Sequence, residues 1–263
     1  MPKNKPNNLV ILEKEKEVSL ISLNDQSSFN SLSESLLKEL QLVLKEADED
    51  NSTKVLVLRG LGRGFSAGHN LKEVQENQDE SFYRDLLTRS KKVMKVLPNL
   101  NKPVIAEVHG VATAAGCQLV AACDLAYADN KTKFATPGVN IGLFCHTPLV
   151  PVSTTIAKKH SMEMLLLGEL IGATEAKRFG LINDIFEPEE LHEKVMEVAR
   201  TICSKSSYVL KMGKETFYKQ LDMNLEEAYE YATERMIQNL KAEDAKEGID
   251  AFLNKRDPDW KNS

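Results

Sequence analysis

The sequence lacks the features of several protein classes. Its 263 residues carry a net charge of -5 and a pI of about 5.7. This balance disfavours nucleic acid or an anionic membrane as the main partner, because such surfaces would repel the chain as a whole. No apolar run approaches the roughly 20 residues of a membrane-spanning helix, and the N-terminal stretch MPKNKPNNLVILEKEKE resembles neither a signal peptide nor a transit peptide. We therefore expect a globular, cytoplasmic protein with no nucleic-acid or membrane partner.

Metal-binding and disulfide motifs are also missing. The four cysteines form no C-x-x-C pair and lie mostly in apolar surroundings, which favours reduced thiols over disulfides or metal ligands. The five histidines give no H-E-x-x-H motif, since His192 and Glu193 are followed by Lys194, Val195 and Met196. The sequence thus predicts neither a metal nor a redox cofactor.

What the sequence does contain is 42% hydrophobic residues, enough for a sizeable core, arranged in alternating strand-like and helix-like runs. The predicted strands are 17–23, 54–60 and 102–110, with helices between them at 31–48 and 81–97. Ser31 and Glu34 fit a capping box at the start of the first helix. The later predicted helices are 189–204, 207–220, 224–240 and 243–254. This order indicates an α/β core followed by a helical appendage that packs on the core or on another subunit.

The stretch GFSAG, Gly64 to Gly68, matches the G-x-S-x-G pattern of a serine hydrolase with Ser66 as the nucleophile. In such enzymes the motif turns directly from a strand into a helix, whereas here GLGRG separates it from its strand. The segment that follows is also too polar for a buried helix. We keep a serine hydrolase as an alternative from a different functional class.

Two segments rich in small residues favour another interpretation: FSAGHNLK at 65–72 and HGVATAAGCQL at 109–119. Glycine and alanine let backbone N–H groups face a ligand without obstruction. If the fold brings the two segments together, each can donate one N–H to a carbonyl oxygen and form an oxyanion hole. The second donor would stand at the start of a helix, where free N–H groups and the helix dipole favour negative charge. Composition alone is equally consistent with tight turns in a packed core.

The same two segments, with ACDLAYADNKTKFATPGVNIGL after them, resemble the enoyl-CoA hydratase/isomerase (crotonase) family. Nearly the whole chain takes part in the resemblance, and one subgroup of the family shares the pattern VHGxATAAGCQLVAxCD. The resemblance implies an α/β fold: a crotonase (ClpP-like) spiral of ββα units over 1–200, with a C-terminal helical trimerisation region over 201–263. It also implies a role in acyl-CoA or fatty-acid metabolism, in which a homotrimer or hexamer (a dimer of trimers) binds an acyl-CoA thioester as substrate.

By the same resemblance, the oxyanion hole consists of the backbone N–H groups of His69 and Ala115. Ser66 and Ala67 belong to the segment that lines the coenzyme A site, and Lys72 lies where the family places a lysine near the adenine and phosphates. A solvated surface lysine is the alternative for Lys72.

The C-terminal pair Phe252 and Lys255 matches the family's F-x-x-K pattern, which completes the adenine pocket of a neighbouring subunit. Phe252 is equally consistent with an ordinary helix core residue.

The predicted chemistry departs from the family at two positions. Typical hydratases carry two catalytic glutamates, and here the matching residues are Gln118 and Gly138. An amide orients water but transfers no proton at neutral pH, and glycine offers no side chain. Other candidates for proton transfer are His146, at a position where some relatives carry a working aspartate, and the side chain of His69, while Cys145 is a candidate for an acyl-enzyme.

These departures leave two functions open beside the hydrolase. One is a lyase or isomerase of the hydratase/isomerase class whose classical hydration is weak. The other is a non-catalytic or regulatory acyl-CoA binder that has kept the oxyanion hole and lost its acid and base.

Overall fold

Two sheets form the frame of the protein in the computed structural model, which describes residues 8–263. Residues 1–7, part of the N-terminal stretch on which the expected location rests, lie outside the described residues. The strands are β1 (Val10–Glu15), β2 (Val18–Leu23), β3 (Val55–Gly60), β4 (Val104–Val108), β5 (Val111–Thr113), β6 (Leu125–Asp129), β7 (Lys133–Ala135), β8 (Ile171–Gly172) and β9 (Asp184–Phe186). One sheet has the order β1-β2-β3-β4-β6-β9, and the other has the order β5-β7-β8.

Helices alternate with the strands as far as β9, and the elements after β9 are all helices. Their bounds are α1 (Glu34–Glu49), α2 (Leu71–Glu76), α3 (Glu80–Val96), α4 (Ala115–Ala122), α5 (Leu149–Thr155), α6 (Lys158–Leu167), α7 (Ala173–Phe179), α8 (Leu191–Cys203), α9 (Ser207–Gln220), α10 (Leu225–Lys241) and α11 (Glu243–Leu253). Short 3₁₀ turns occur at Gln26–Ser28, Leu97–Asn99 and Pro137–Ile141. The helices predicted over 31–48, 81–97 and 189–254 are therefore present, with ends that differ by a few residues.

Successive strand pairs divide between the two sheets. Strands β4 and β6 are parallel neighbours in the larger sheet, while β5 and β7 are parallel neighbours in the smaller one. A helix follows each pair, so the repeating unit is two strands and a helix, as expected for the ββα spiral. Since β3 and β4 are also parallel neighbours, the loops that leave their carboxyl ends start at the same sheet edge.

The larger sheet is buried between two layers of helix. Helix α1 presents one apolar stripe to the core, and α8 covers the opposite face of the sheet. The stripe of α1 consists of Leu36, Leu37, Leu40, Val43, Leu44 and Ala47. Both faces of the central strands are therefore apolar, which explains the near-continuous hydrophobic run VLVL in β3. The predicted division between 200 and 201 falls inside α8, and the helical region that leaves the core starts after Cys203.

The capping box predicted for Ser31 and Glu34 is wrong. Helix α1 begins at Glu34 with Ser33 as its N-cap, whose hydroxyl accepts a hydrogen bond from the backbone N–H of Leu36. Residues before it are extended, because the Leu32 N–H donates to the carbonyl of Gly68 over 2.7 Å. A long-range pairing that sequence cannot reveal has thus moved the helix start.

The C-terminal helices keep many large apolar side chains in solvent. The exposed set on α9–α11 and the turns between them comprises Phe217, Leu221, Leu225, Tyr229, Met236, Ile237, Leu240, Ile249, Phe252 and Leu253. Such a set is far larger than the scattered apolar residues of an ordinary surface. No helix within residues 8–263 combines the length and apolar character needed to cross a membrane.

A buried ion pair ties α9 to the core. The Lys214 Nζ lies 2.6 Å from the Asp124 carboxylate, and the two side chains are 7% and 17% exposed. Asp124 also accepts hydrogen bonds from the Val104 N–H over 2.7 Å and from the Tyr218 hydroxyl over 2.8 Å. Lys214 donates further to the carbonyls of Leu97 and Lys102, so both charges are fully engaged. Asp124, two residues after the end of α4, thus has a structural role.

We expect Lys214→Met to destabilise the protein by about 3 kcal/mol, because the substitution keeps the packing volume but leaves the Asp124 carboxylate buried without its cation. The midpoint of urea unfolding measures the effect. The matched control is Lys219→Met, which breaks an exposed pair with Glu215 on the same helix and should leave the midpoint nearly unchanged. Equal shifts in the two variants would show that the ion pair does not anchor α9.

Candidate active site

The first small-residue segment is held from both sides by backbone pairing. Ser66 forms a parallel bridge with Ala112: its N–H donates to the Val111 carbonyl over 3.1 Å, and its carbonyl accepts from the Thr113 N–H over 3.0 Å. On the other side the Gly68 carbonyl accepts from the Leu32 N–H. The loop after β3 therefore runs as an extra short strand beside β5.

Two glycines let the segments approach closely. A Cβ at Gly116 would overlap the carbonyl oxygen of Ser66. A Cβ at Gly68 would lie 2.8 Å from the Ala114 Cβ and 3.1 Å from the Ala115 backbone nitrogen, and Gly68 also has a φ of +91°. Contact and backbone conformation both require glycine at position 68. The two segments that the sequence singled out are thus in direct contact.

Two amides at this contact have no partner among the residues that the structure describes. Within residues 8–263, neither the His69 N–H nor the Ala115 N–H donates a hydrogen bond, although the Ala114 N–H donates to Ala135 and the Gln118 N–H to Ala114. Ala115 is the first residue of α4, where helix N–H groups are free and the dipole favours an anion. These are the two donors that the sequence predicted for an oxyanion hole.

Ala114, between them, has an unusual backbone. Its φ of 50° and ψ of -118° lie in a region that residues with a side chain rarely adopt, and it serves as N-cap without a side-chain hydrogen bond. Such conformations cost on the order of 1–3 kcal/mol and concentrate at functional sites. This conformation turns the chain sharply from β5 into α4. As a result, the helix begins at Ala115, with the Ala115 N–H beside Gly68.

Gln118 lies one turn into α4 and faces away from solvent. The residue is 4% exposed, and its Oε1 is enclosed without a hydrogen-bond partner among the described residues. The Nε2 is the amide atom left on the open side, since it is not enclosed and makes no hydrogen bond in the described part of the chain. The side chain is therefore uncharged, and its carboxamide can donate or accept a hydrogen bond.

The position of the second family glutamate is filled by the protein itself. Gly138 lies buried in the 3₁₀ turn Pro137–Ile141. A Cβ there would lie 2.8 Å from the Leu143 carbonyl oxygen and 3.1 Å from the Cys145 Sγ. A glutamate at 138 therefore requires the backbone of 143–145 to move.

The imidazole of His69 is half-buried. Its Nε2 is enclosed without a partner among residues 8–263, and burial lowers the pKa of His69 to about 4. The Thr136 hydroxyl, two residues before Gly138, is likewise enclosed and unpartnered. Buried polar groups are nearly always hydrogen-bonded, so His69, Gln118 and Thr136 each have an atom that a bound water or ligand could satisfy, as do four residues outside these segments (Arg89, Ser90, His160 and Tyr231).

The other candidates for chemistry are less suited to it. His146 is exposed and packs against the Phe144 ring, with 5.2 Å between ring centroids. Burial raises the pKa of the Cys145 thiol and raises that of Cys117 to about 12, so neither is activated as a nucleophile. The described residues include no group of three or more His, Cys, Asp or Glu placed to hold a metal ion.

Comparison with known proteins identifies the family. The sequence pattern of the family described as Enoyl-CoA hydratase/isomerase matches residues 13–263. The chain belongs to this family.

Relatives with the same subgroup name are similar along most of their length. The protein named enoyl-CoA hydratase domain-containing protein 3, mitochondrial, of Homo sapiens is 45% identical over 240 residues, which cover 91% of this chain and 79% of that protein. Its Xenopus laevis counterpart is 41% identical over 256 residues, covering 97% and 87%. These relatives confirm the subgroup that the shared pattern indicated. Their names carry the word mitochondrial, so they do not support the expected cytoplasmic location.

Solved structures confirm the fold. The crystal structure of human enoyl Coenzyme A hydratase domain-containing protein 3 superposes with a TM-score of 0.93 at 43% identity, covering 96% of this chain and 100% of that chain. An enoyl-CoA hydratase structure from Mycobacterium smegmatis gives a TM-score of 0.94 at 40% identity, covering 97% and 99%. The crotonase spiral expected from the sequence is therefore the fold of this chain.

Ser66 has no setting for nucleophilic catalysis. Its side chain is fully buried, and the hydroxyl donates to the Asn30 carbonyl over 2.9 Å and accepts from the Gly68 N–H. Histidine is absent from its hydrogen bonds within the described residues, so the hydrolase alternative gains no support. Ala67 is exposed, and its carbonyl accepts from the Thr113 hydroxyl.

The residues carried over for coenzyme A lie on the surface. Lys72 is exposed near the start of α2, and no ion pair within residues 8–263 involves it. Phe252 is 83% exposed, which excludes the alternative that it belongs to a helix core of this subunit. Lys255 is exposed and takes a left-handed conformation just after α11. The described contacts do not test their predicted role.

Sequence reasoning missed Asn30 as a supporting residue. It is fully buried with a φ of 53°, and its amide donates to the carbonyls of Leu61 and Gly64 over 2.9 and 2.8 Å. Asn30 thereby holds the glycine-rich loop that precedes the oxyanion segment. Asparagine tolerates left-handed conformations well, but in sequence the residue reads only as part of a polar loop.

We expect the free energy of unfolding to increase with pH between about 4 and 6.5, in part because of His69. Its pKa is about 4 when folded, against an ordinary value of 6.5, so in this range the unfolded chain binds the extra proton. The ionisation of His69 lowers the free energy of unfolding by about 3 kcal/mol near pH 4, and this effect vanishes above pH 6.5. His69→Gln should flatten this slope in urea unfolding at a series of pH values. An unchanged slope would place the imidazole in contact with water.

Proposed function

We propose that the protein binds an acyl-CoA thioester with its carbonyl oxygen between the N–H groups of His69 and Ala115. The supporting observation is that these two amides, from separate loops in contact at Gly68, have no acceptor within residues 8–263. A thioester oxygen gains negative charge when its α-carbon becomes an enolate carbon. Two preorganised donors stabilise this charge at no cost of reorganisation.

Coenzyme A would extend from this point over Ser66 and Ala67 towards Lys72, whose free cation suits a phosphate. Phe252 and Lys255 would contribute to the adenine pocket of a neighbouring subunit. Their exposure on α11, within the large apolar set on α9–α11, supports a homotrimer or a hexamer built from trimers. In such an assembly the apolar helices would be covered and each site completed by the next subunit.

The proposed function does not include efficient hydration by two carboxylates. Gln118 transfers no proton, and the second position is occupied by the Leu143 carbonyl and the Cys145 thiol. A positioned acid or base contributes on the order of 10² to 10⁴ in rate. We therefore keep the hydratase/isomerase class that the family resemblance implies, with the proposed oxyanion hole as the part of its chemistry that the chain retains. A binder without catalysis is the second candidate, favoured by the same loss of acid and base.

The Ala115 donor can be removed with little other change. The double variant Ala114→Gly, Ala115→Pro deletes this N–H at the first position of α4, where proline is well tolerated. The glycine at 114 relieves the crowding that proline would cause after a left-handed alanine. In the double variant we expect the carbonyl stretching band of bound ¹³C-labelled crotonyl-CoA to shift less towards low frequency than it does in Ala114→Gly. We also expect any turnover by the double variant to fall by about 10²- to 10³-fold.

Ala114→Gly is the reference, because it carries the backbone change without loss of the donor. Circular dichroism and unfolding midpoints of the two variants show whether both fold. A band that shifts equally in both, at saturating ligand, would mean that the carbonyl does not contact Ala115 and that the proposed site is wrong.

A further inference from the structure

Residues 254–263 reverse direction after α11 and run back beside it. The Trp260 indole lies against Gly248, in the middle of the helix, where a Cβ would be 3.1 Å from the ring. The Lys261 N–H donates to the Asp244 carboxylate, in the first turn of the helix, over 2.6 Å. The return segment, as we call residues 254–263, thus lies beside α11 from its end to its start.

Asp244 joins the return segment to the starts of two helices, α11 and α9. It is 1% exposed, and its carboxylate accepts hydrogen bonds from the N–H groups of Lys261 and Asn262. The same carboxylate accepts from the hydroxyl of Ser206, which is the N-cap of α9. A buried carboxylate needs such donors, because an unsatisfied charge in the protein interior is costly. The return segment therefore supplies hydrogen bonds that this buried charge requires.

A second attachment lies at the turn between α11 and the return segment. The Arg256 guanidinium donates to both carboxylate oxygens of Glu247, over 2.6 and 2.8 Å, and to the Asp250 carboxylate over 2.6 Å. The Asp259 N–H donates to the same Glu247 carboxylate over 2.7 Å. A planar guanidinium with two hydrogen bonds to one carboxylate has a fixed orientation. The turn is therefore restrained at Arg256.

This turn carries Phe252 and Lys255. Both are exposed, so burial of their own side chains does not fix them. Lys255 has a φ of 52°, a left-handed conformation that disfavours residues with a side chain. The next residue, Arg256, holds this conformation through its side chain and through its N–H, which donates to the Ala251 carbonyl over 3.0 Å. The placement of the two exposed side chains thus depends on Arg256 and the return segment.

We propose that the return segment holds Phe252 and Lys255 in place for the adenine end of coenzyme A bound to a neighbouring subunit. This inference rests on the proposed function, in which these two side chains complete that pocket. Arg256 is then a positioning residue, since it acts through the turn. Side chains held in place before binding lose less conformational freedom on contact with a ligand, so affinity increases without a new contact. The benefit applies only to ligands that carry the adenosine part of coenzyme A.

The test compares two thioesters in Arg256→Met. Crotonyl-CoA carries the adenosine part, and crotonyl-pantetheine lacks it. The substitution removes the guanidinium at an exposed position, so the fold should be kept. By titration calorimetry we expect the Kd of crotonyl-CoA to increase about threefold to tenfold, as for loss of an exposed bidentate ion pair within a network. The Kd of crotonyl-pantetheine should stay the same, whereas a merely structural role would affect both thioesters or neither.

Lys246→Met is the matched control, because it breaks an exposed pair with Glu243 on the same helix. It should change neither dissociation constant. Hydrogen exchange of the return segment should become faster in Arg256→Met but not in Lys246→Met, and sedimentation velocity should show the same assembly in both. Equal weakening of the two thioesters, unchanged hydrogen exchange or a different assembly in Arg256→Met would overturn the proposal.

Phe252→Ala distinguishes this inference from the proposed function. If Phe252→Ala weakens crotonyl-CoA selectively and Arg256→Met does not, the positioning role is wrong and the predicted adenine pocket stands. If Phe252→Ala leaves the Kd of crotonyl-CoA unchanged, the predicted pocket is wrong and the positioning role falls with it. The oxyanion site is tested separately by the carbonyl band, so it stands or falls independently of both results.

Discussion

The close approach of two backbones is the constraint on which the site depends. Gly116 lies against the Ser66 carbonyl and Gly68 against Ala114 and Ala115, at distances that leave no room for a Cβ. Backbone hydrogen bonds fix the first loop from both sides: the N–H groups of Leu32 and Thr113 donate to it, and the Val111 carbonyl accepts from it. Because the donors are main-chain amides held by sheet pairing, their geometry is set by the fold, while the side chains around them are free to change.

This arrangement carries a stability cost. Ala114 has a backbone conformation that disfavours any side chain, and polar atoms of His69, Gln118 and Thr136 lack partners within residues 8–263. Each is worth on the order of 1–3 kcal/mol. The surrounding core offsets this loss of stability. The larger sheet is buried on both faces, and the ion pair of Lys214 and Asp124 anchors α9 to the core. A ligand that satisfied the free amides would relieve part of the strain and bind the more tightly for it.

Long elements and short motifs were predictable from the sequence, and long-range pairings were not. Helix α9 starts and ends where its apolar period predicted, because fourteen residues give a clear pattern. Strands β5 and β8 have three and two residues, too few for any period to show. The wrong cap at Ser31 and the missed role of Asn30 have related causes: Leu32, next to Ser31, and Asn30 itself are hydrogen-bonded to the loop at 61–68, about thirty residues away. The close approach of the two segments was predictable because small residues mark it even without knowledge of the fold, whereas the choice of the His69 and Ala115 amides came from the family resemblance.

The loss of the second carboxylate is built into the backbone rather than confined to one side chain. At Gln118 a single substitution restores an acid in the same space. At Gly138 the Leu143 carbonyl and the Cys145 thiol occupy the space that a side chain would need, and the Leu143 N–H donates back to the Gly138 carbonyl over 2.9 Å. The turn is thus closed on itself by its own hydrogen bond. The space that a side chain at position 138 would need is therefore taken by the Leu143 main chain as well as by the Cys145 side chain, so a substitution at 138 alone does not make room for a carboxylate.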